Sequence, residues 1–415
     1  MNQPKIVHLV AGELNGGAAR GAYWLHRGLL SSGARSLILT SSSVTLGEPE
    51  IISINNDENH SLIKHYKSEE ARLLSRYPNK AEGLFSSGFG GLDLTSNDFI
   101  RDADIVHLHW VNGSFFDFQG LNAIGKPIVW TLRDMWPMTG GCHYSFECRR
   151  FENDCGCCPL LGSDKKEDLS SKVQRRKSAL FPADINFVGI SHWIAQQAKA
   201  SKLLGDKAIS IIHNCIDCSA FFPVEQSLAR EILGLKTSKR VLLIGATRLK
   251  DPYKGFNLLK NVLSHLNKEH FYLLFFGASS ENDIRDLGFE YKRLGYLYDN
   301  ISMRVVYSAA DVFLCTSIIE AFGKTVAEAM ACGTPAISFD NSGPAEIIKH
   351  KTTGYIAKSF DVSDFVQGVY YICDENNQSR LKRKSVERAR ETFDKDVIAE
   401  RYLRLYFSLM KGHRK

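Results

Sequence analysis

Short runs rich in Val and Ile recur along this chain, and almost every one leads into a stretch with helical spacing. IVHLVA, SLILT, DIVHLHW, PIVWTL, INFVGI and ISIIH read as buried strands in the first half; VLLIGAT, FYLLFF, DVFLCT and TPAIS do so in the second. AARGAYWLHRGLLSSG and SMRVVYSAAD are two of the helical stretches. Continuous apolar strands are buried on both faces, and strand–helix–strand repetition builds parallel sheets covered by helices. The pattern restarts near residue 240, after the polar, proline-bearing CIDCSAFFPVEQS. A chain of 415 residues also exceeds what one core ordinarily supports. The expected fold is α/β, two doubly wound Rossmann-like domains facing a cleft. Residues 1–220 would form the first domain and 221–394 the second, with a terminal helix over 395–415 packing back on the first.

Several function classes fall away. No run approaches the roughly 20 apolar residues of a membrane-spanning helix. MNQPKIVHLVAGELNGG lacks a secretory core and reads as a first strand, so a cytoplasmic chain with reduced thiols is expected. A net charge of +6 is mild, and acids interrupt the basic tail RLKRKSVERARETFDKD, so nucleic acid is not an expected partner. KHYKSEEARLLSRYPNK, with its aromatics and cations, reads either as a peripheral contact at the inner face of the plasma membrane or as an ordinary amphipathic helix.

Ligands of doubly wound sheets bind where strands end and helices begin. SIIEAFGKTVAEAMACGTPAISF places Glu320 in such a loop, ahead of a helix expected over Lys324–Cys332 with Gly333 as its C-cap. The N–H groups of Gly323, Lys324 and Thr325 would open that helix toward a phosphate. Glu328, eight residues beyond Glu320, suits a ribose diol. After VLLIGAT, the stretch RLKDPYKGF supplies Arg248 and Lys254, two cations able to neutralise a diphosphate leaving group.

The combination R-x5-K-G, E-A-F-G with E-x7-E, and A-C-G-T-P-A-I resembles glycosyltransferase family 4, retaining enzymes of the GT-B fold that use nucleotide sugars. HLHWVNG through TLRDMWPMTGGCHY looks like the branch that builds bacterial surface polysaccharides. The resemblance implies that Glu320 binds donor sugar hydroxyls, Glu328 the ribose, and Arg248 with Lys254 the diphosphate. It implies donor contacts for Gly16 and Gly17 in LNGGAARG, for Gly323, Lys324 and Thr325, and, around the base, for the backbone near Gly277 and Tyr296. His109 resembles the family's cleft histidine, and Arg133 stands where relatives often carry a histidine that reaches the donor sugar. The implied reaction moves a hexose from a UDP- or GDP-sugar to a glycan or lipid-linked acceptor, by front-face attack and without a catalytic metal. Two other readings stay open: a silent GT-B scaffold, and a nicotinamide-dependent oxidoreductase, against which the lack of GxGxxG after the first strand counts.

GGCHYSFECRRFENDCGCCPLLG holds five of the ten cysteines. Cys142, Cys148, Cys155 and Cys158, spaced C-x5-C-x6-C-x2-C, suit a structural tetrahedral zinc, with Cys157 spare and His143 as a substitute ligand. Free thiols and disulfides are the other readings. Cys215 and Cys218 make a second C-x2-C, read as coincidental.

Overall fold

A computed structural model describes residues 3–14, 16–43, 46–278 and 280–413. The chain divides into two compact units: Met1–His213 with Asp396–Lys415, and Asn214–Lys395. The second unit is thus an insertion between the body of the first and its last segment.

The first unit is built on β1 (Lys5–Val10), β2 (Arg35–Thr40), β3 (Ile51–Ser53), β4 (Ile105–Leu108), β5 (Ile128–Leu132), β6 (Asn186–Gly189) and β7 (Ala208–Ile211). All pairings are parallel, in the order β3-β2-β1-β4-β5-β6-β7. The direction of strand order reverses between β1 and β4. β1, β4 and β5 are buried nearly throughout, as their unbroken apolar runs require. The helix Gly17–Ser31 covers the sheet with Ala22, Trp24, Leu25 and Leu29. The helix Asp57–Leu74, which contains most of the KHYKSEEARLLSRYPNK stretch, buries none of its 18 residues. In the C-terminal helix Lys395–His413, Tyr402 and Tyr406 are buried; Tyr402 OH lies 2.8 Å from Thr131 Oγ1 and Tyr406 OH 2.7 Å from His107 Nδ1.

The second unit carries β8 (Arg240–Arg248), β9 (Phe271–Ala278), β10 (Tyr291–Arg293), β11 (Val312–Cys315), β12 (Ala336–Phe339) and β13 (Gly354–Ala357), again all parallel, in the order β10-β9-β8-β11-β12-β13. Its order reverses between β8 and β11. Three strands went unread in the sequence, β3, β10 and β13. Each lies at a sheet edge, and its sequence (IIS, YKR, GYIA) lacks the continuous apolar run that marked the inner strands. The helix Lys324–Ala331 ends one residue earlier than expected, and Gly333 follows at φ 83°, the left-handed turn that favours glycine there. No helix of the described residues is long and apolar enough to cross a membrane.

Candidate active site

At the reversal point of the second sheet two loops meet. β8 ends at Arg248 and leads through a 3-10 turn, Pro252–Lys254, into Gly255. β11 ends at Cys315 and leads through Ser317 and Glu320 to Gly323. Ile318 N–H donates to Tyr253 O at 2.8 Å, and Thr316 Oγ1 to Lys254 O at 3.3 Å. Gly255, at φ 69°, is obligatory in this packing: a Cβ there would lie 2.1 Å from Thr316 O.

This docking brings Lys254 Nζ to 2.9 Å from Glu320 Oε2, and Ser317 Oγ donates to the same oxygen at 2.9 Å. Oε1 has no partner among the described residues. Burial opposes charge on Lys254, but the carboxylate of Glu320 more than offsets it and holds the ammonium above the usual lysine range. Arg248 lies at the loop entrance, its side chain largely exposed and its Nε 3.1 Å from Asp251 Oδ1.

Gly323, at φ 98°, caps the helix Lys324–Ala331, whose first N–H groups lack intrahelical acceptors by construction. Gly343 N–H donates to Glu320 O at 3.0 Å, fixing the loop before the helix. Glu328 is not the exposed glutamate of an ordinary amphipathic helix; it is 1% exposed. Its Oε2 accepts from Tyr307 OH at 2.9 Å and its Oε1 pairs with Lys324, one turn earlier. Burial, then the neighbouring Glu328 carboxylate, hold the Tyr307 phenol well above its ordinary value, so it stays a donor. Gly277 N–H donates to Gly295 O at 2.7 Å, and the exposed rings of Tyr296 and Tyr298 stand 4.6 Å apart.

In the first unit the reversal point holds a buried polar layer. His8 and His107 face each other across β1 and β4, and period 2 places Ser36, His109, Thr131 and Arg133 on the same face. Arg133 can only donate, so its Nη2, 3.1 Å from His109 Nδ1, makes that nitrogen an acceptor and leaves the proton on Nε2. His109 Nε2–H then donates to His8 Nδ1 at 2.9 Å, and His8 Nε2–H to Ser36 Oγ at 3.1 Å. Ser36 Oγ–H donates to His26 Nδ1 at 2.8 Å. The chain of donors runs one way and ends on His26 Nε2, buried without an acceptor among the described residues. Burial first, then neighbouring histidines and the Arg133 charge, push His8, His107 and His109 well below the ordinary histidine range. Nitrogens of these three lie within 4.8 Å of one another, a spacing a metal could use. Each is engaged in hydrogen bonds instead, beside a guanidinium that would repel a cation.

Asp134 accepts from His143, Trp110 and the Trp136 N–H. Gly16 and Gly17 open the helix Gly17–Ser31, and a Cβ on either would meet nothing within 4 Å. Protein packing therefore gives no reason for glycine at these two positions. Sequence reasoning missed Ser317 and Tyr307, which hold the two glutamates, and His8, Ser36, His26 and Thr131 behind Arg133 and His109. The H-x-H of HLHW, two histidines on one strand face, was the available signal for that layer.

The two parallel-sheet Rossmann-like units match the structures of GT-B glycosyltransferases in fold. Residues 226–392, within the second unit, match the family Glycosyl transferases group 1. The N-acetyl-alpha-D-glucosaminyl L-malate synthase of Bacillus anthracis is 24% identical over 217 residues, covering 50% of this chain and 55% of that protein. The match thus spans only about half the length of that relative. WcaC of Escherichia coli (strain K12), assigned to colanic acid biosynthesis as a glycosyl transferase, is 22% identical over 372 residues, covering 85% of this chain and 87% of that one. The Anabaena protein Alr3699/HepE, solved with UDP-glucose, superposes with a TM-score of 0.65 at 16% identity, over 98% of this chain and 100% of that one.

Proposed function

We propose that the chain is a retaining family 4 glycosyltransferase that moves a hexose from a UDP- or GDP-sugar to a glycan or lipid-linked acceptor of a surface polysaccharide. The observation that carries this reading is the Lys254–Glu320 pair beside the opening of the helix Lys324–Ala331, at the reversal point of a parallel sheet. The assignment of HepE to a UDP-glucose complex and of WcaC to colanic acid supports the substrate class.

Breaking the bond between the anomeric carbon and the donor oxygen leaves negative charge on the diphosphate. Lys254, already held as a cation, Arg248 and the N–H groups of Gly323, Lys324 and Thr325 meet that charge without a metal ion. Glu320 has Oε1 left to accept from sugar hydroxyls. Glu328 takes the ribose by exchanging Lys324 for a hydroxyl, which releases the Lys324 ammonium toward phosphate while Tyr307 keeps the other oxygen in place. Tyr296 lies near the base. No side chain is assigned as a nucleophile; the donor phosphate accepts the acceptor's proton. Arg133, held by His109, meets an anionic group of the substrate, and Gly16 and Gly17 admit a ligand close to the backbone.

Thermal unfolding with UDP, GDP, CMP and NAD in parallel tests this. A ligand at about 100 times its Kd adds about 2.7 kcal/mol to the state that binds it. That raises Tm by about 3 degrees if the whole chain melts together, and by more if the second unit melts alone. A shift with UDP or GDP only, absent in Glu328→Ala, is the expected result. A shift with NAD, or with none of the four, would count against the reading.

A further inference from the structure

Ser86, His143 and Asp134 lie in the first unit and have no part in the transfer proposed above. We propose that they form a charge-relay site, with Ser86 Oγ as nucleophile, which hydrolyses a small acyl ester carried on a sugar or polyol hydroxyl. This activity stands whether or not the chain also transfers a sugar.

The segments 84–86 and 141–143 run antiparallel: Ser86 N–H donates to Gly141 O at 2.9 Å, His143 N–H to Leu84 O at 3.1 Å, and Phe85 bridges Cys142 between them. That pairing sets Ser86 beside His143, whose Nε2 lies 3.0 Å from Ser86 Oγ. On the other side of the ring, His143 Nδ1 lies 2.6 Å from Asp134 Oδ2. The carboxylate is fixed by two groups that can only donate. Trp136 N–H reaches Oδ1 at 2.9 Å, and Trp110 Nε1–H reaches Oδ2 at 3.1 Å, nearer than its 3.3 Å to His143 Nδ1. Asp134 therefore accepts from His143 Nδ1–H, which leaves Nε2 as an acceptor for the Ser86 hydroxyl. A serine on a base and that base on an orienting carboxylate, each within hydrogen-bond reach, is the arrangement that activates a hydroxyl for attack. All three residues are buried.

A relay that only tied two loops together would need neither a cavity nor spare donors. Here a cavity of about 230 Å³ is lined by Ser86, Glu70, Gly88, Asn112, Gly113 and Ser114. Gly113 and Ser114 are consecutive left-handed residues, at φ 68° and 61°, a region uncommon for a residue other than glycine. The N–H groups of Gly88, Gly113 and Ser114 have no acceptor among the described residues. Unpaired N–H groups suit the oxyanion that forms when an ester is attacked. Asn112 Oδ1 is buried without a partner among the described residues, and Glu70 accepts from Ser87 through one oxygen only. These two side chains suit the hydroxyls of the alcohol. The volume is below the roughly 300–1,000 Å³ of sites that enclose a whole ligand, so it admits an acetyl-sized group and not a fatty chain. In the reaction, Ser86 Oγ bonds to the ester carbonyl carbon while its proton passes to His143 Nε2. The bond from that carbon to the sugar oxygen breaks, and the oxygen takes the proton. Water then adds to the acyl-serine and gives a proton to His143; the carboxylic acid leaves as that proton returns to Ser86 Oγ.

The probe is p-nitrophenyl acetate, whose acyl group fits this cavity. With the purified full chain it should release nitrophenolate in a burst and leave an acetyl group on Ser86, located by peptide mass spectrometry. Ser86→Ala should lose both signals. His143→Gln should slow the acylation by about 100 to 10,000-fold, the usual share of a positioned base. The melting transition of each variant shows whether it is folded; if either unfolds, the position of the acetyl group in the wild-type chain decides. Acetyl groups on lysines with Ser86 unmodified, or equal acylation of Ser86 in folded His143→Gln, would overturn the proposal and leave the relay as a tie between two loops.

Discussion

Glu320 and Glu328 are eight residues apart and opposite in circumstance. Glu320 shares one oxygen between Lys254 and Ser317 and keeps the other unengaged; Glu328 is closed in by Tyr307 and Lys324. In the proposed reaction the two act at different stages, one ready for a ligand as it stands and the other needing an exchange of partners. Lys254→Met removes the cation and leaves Glu320 with Ser317 alone. We expect kcat to fall on the order of 100 to 1,000-fold, the usual loss for one preorganised charge at a developing anion. KM should change much less, and steady-state kinetics with the donor identified by the thermal shifts would check the split. A rise in KM with kcat unchanged would place Lys254 in ground-state binding instead. At this scale the sequence was legible where chemistry is local: a cation and a carboxylate after parallel strands. It was silent on Tyr307, because a tyrosine 21 residues from its carboxylate carries no signal before the chain folds.

At the scale of elements, the polar layer in the first sheet is the feature with a measurable cost. His8, His26, His107 and His109 sit on three different elements and are all held neutral; burial pushes His26 down to about 4. Below the ordinary histidine value the unfolded chain takes up protons that the fold refuses, so stability is complete above about pH 6.5 and declines as pH falls. For His26 the decline runs to about pH 4, at up to about 1.4 kcal/mol per pH unit. The melting transition of the first unit should therefore move down between pH 6.5 and 4.5, ahead of the acid titration of ordinary carboxylates. Calorimetry over that range would check it; a first-unit transition indifferent to pH would mean these histidines accept protons in the fold. β1, β4, β8 and β11 were legible because they are apolar almost without interruption. The edge strands β3, β10 and β13 were not, since pairing with a neighbour and not an unbroken apolar run makes them strands.

The whole molecule is a parallel-sheet unit interrupted by another. Two domains were legible from the restart of the pattern near residue 240. What no periodicity encodes is what the last segment touches: Tyr402 and Tyr406 complete the hydrogen bonding of Thr131 and His107 in the first unit. Removing residues 396–415 leaves those buried groups short of partners, at about 1–3 kcal/mol each, and uncovers the face above them. We expect the first unit's melting transition to drop or vanish, while the second keeps its own transition and its nucleotide response. An unchanged first transition would show that the tyrosines are dispensable.

The same connectivity sets a timetable. A ribosome releases Met1–His213 well before Asp396–Lys415, with the 182 residues of Asn214–Lys395 in between. At about 5–20 residues per second, that interval lasts roughly 10 to 40 seconds. During it the nascent first unit has its sheet but not the tyrosines that close the polar layer. The unit begun first is therefore finished last.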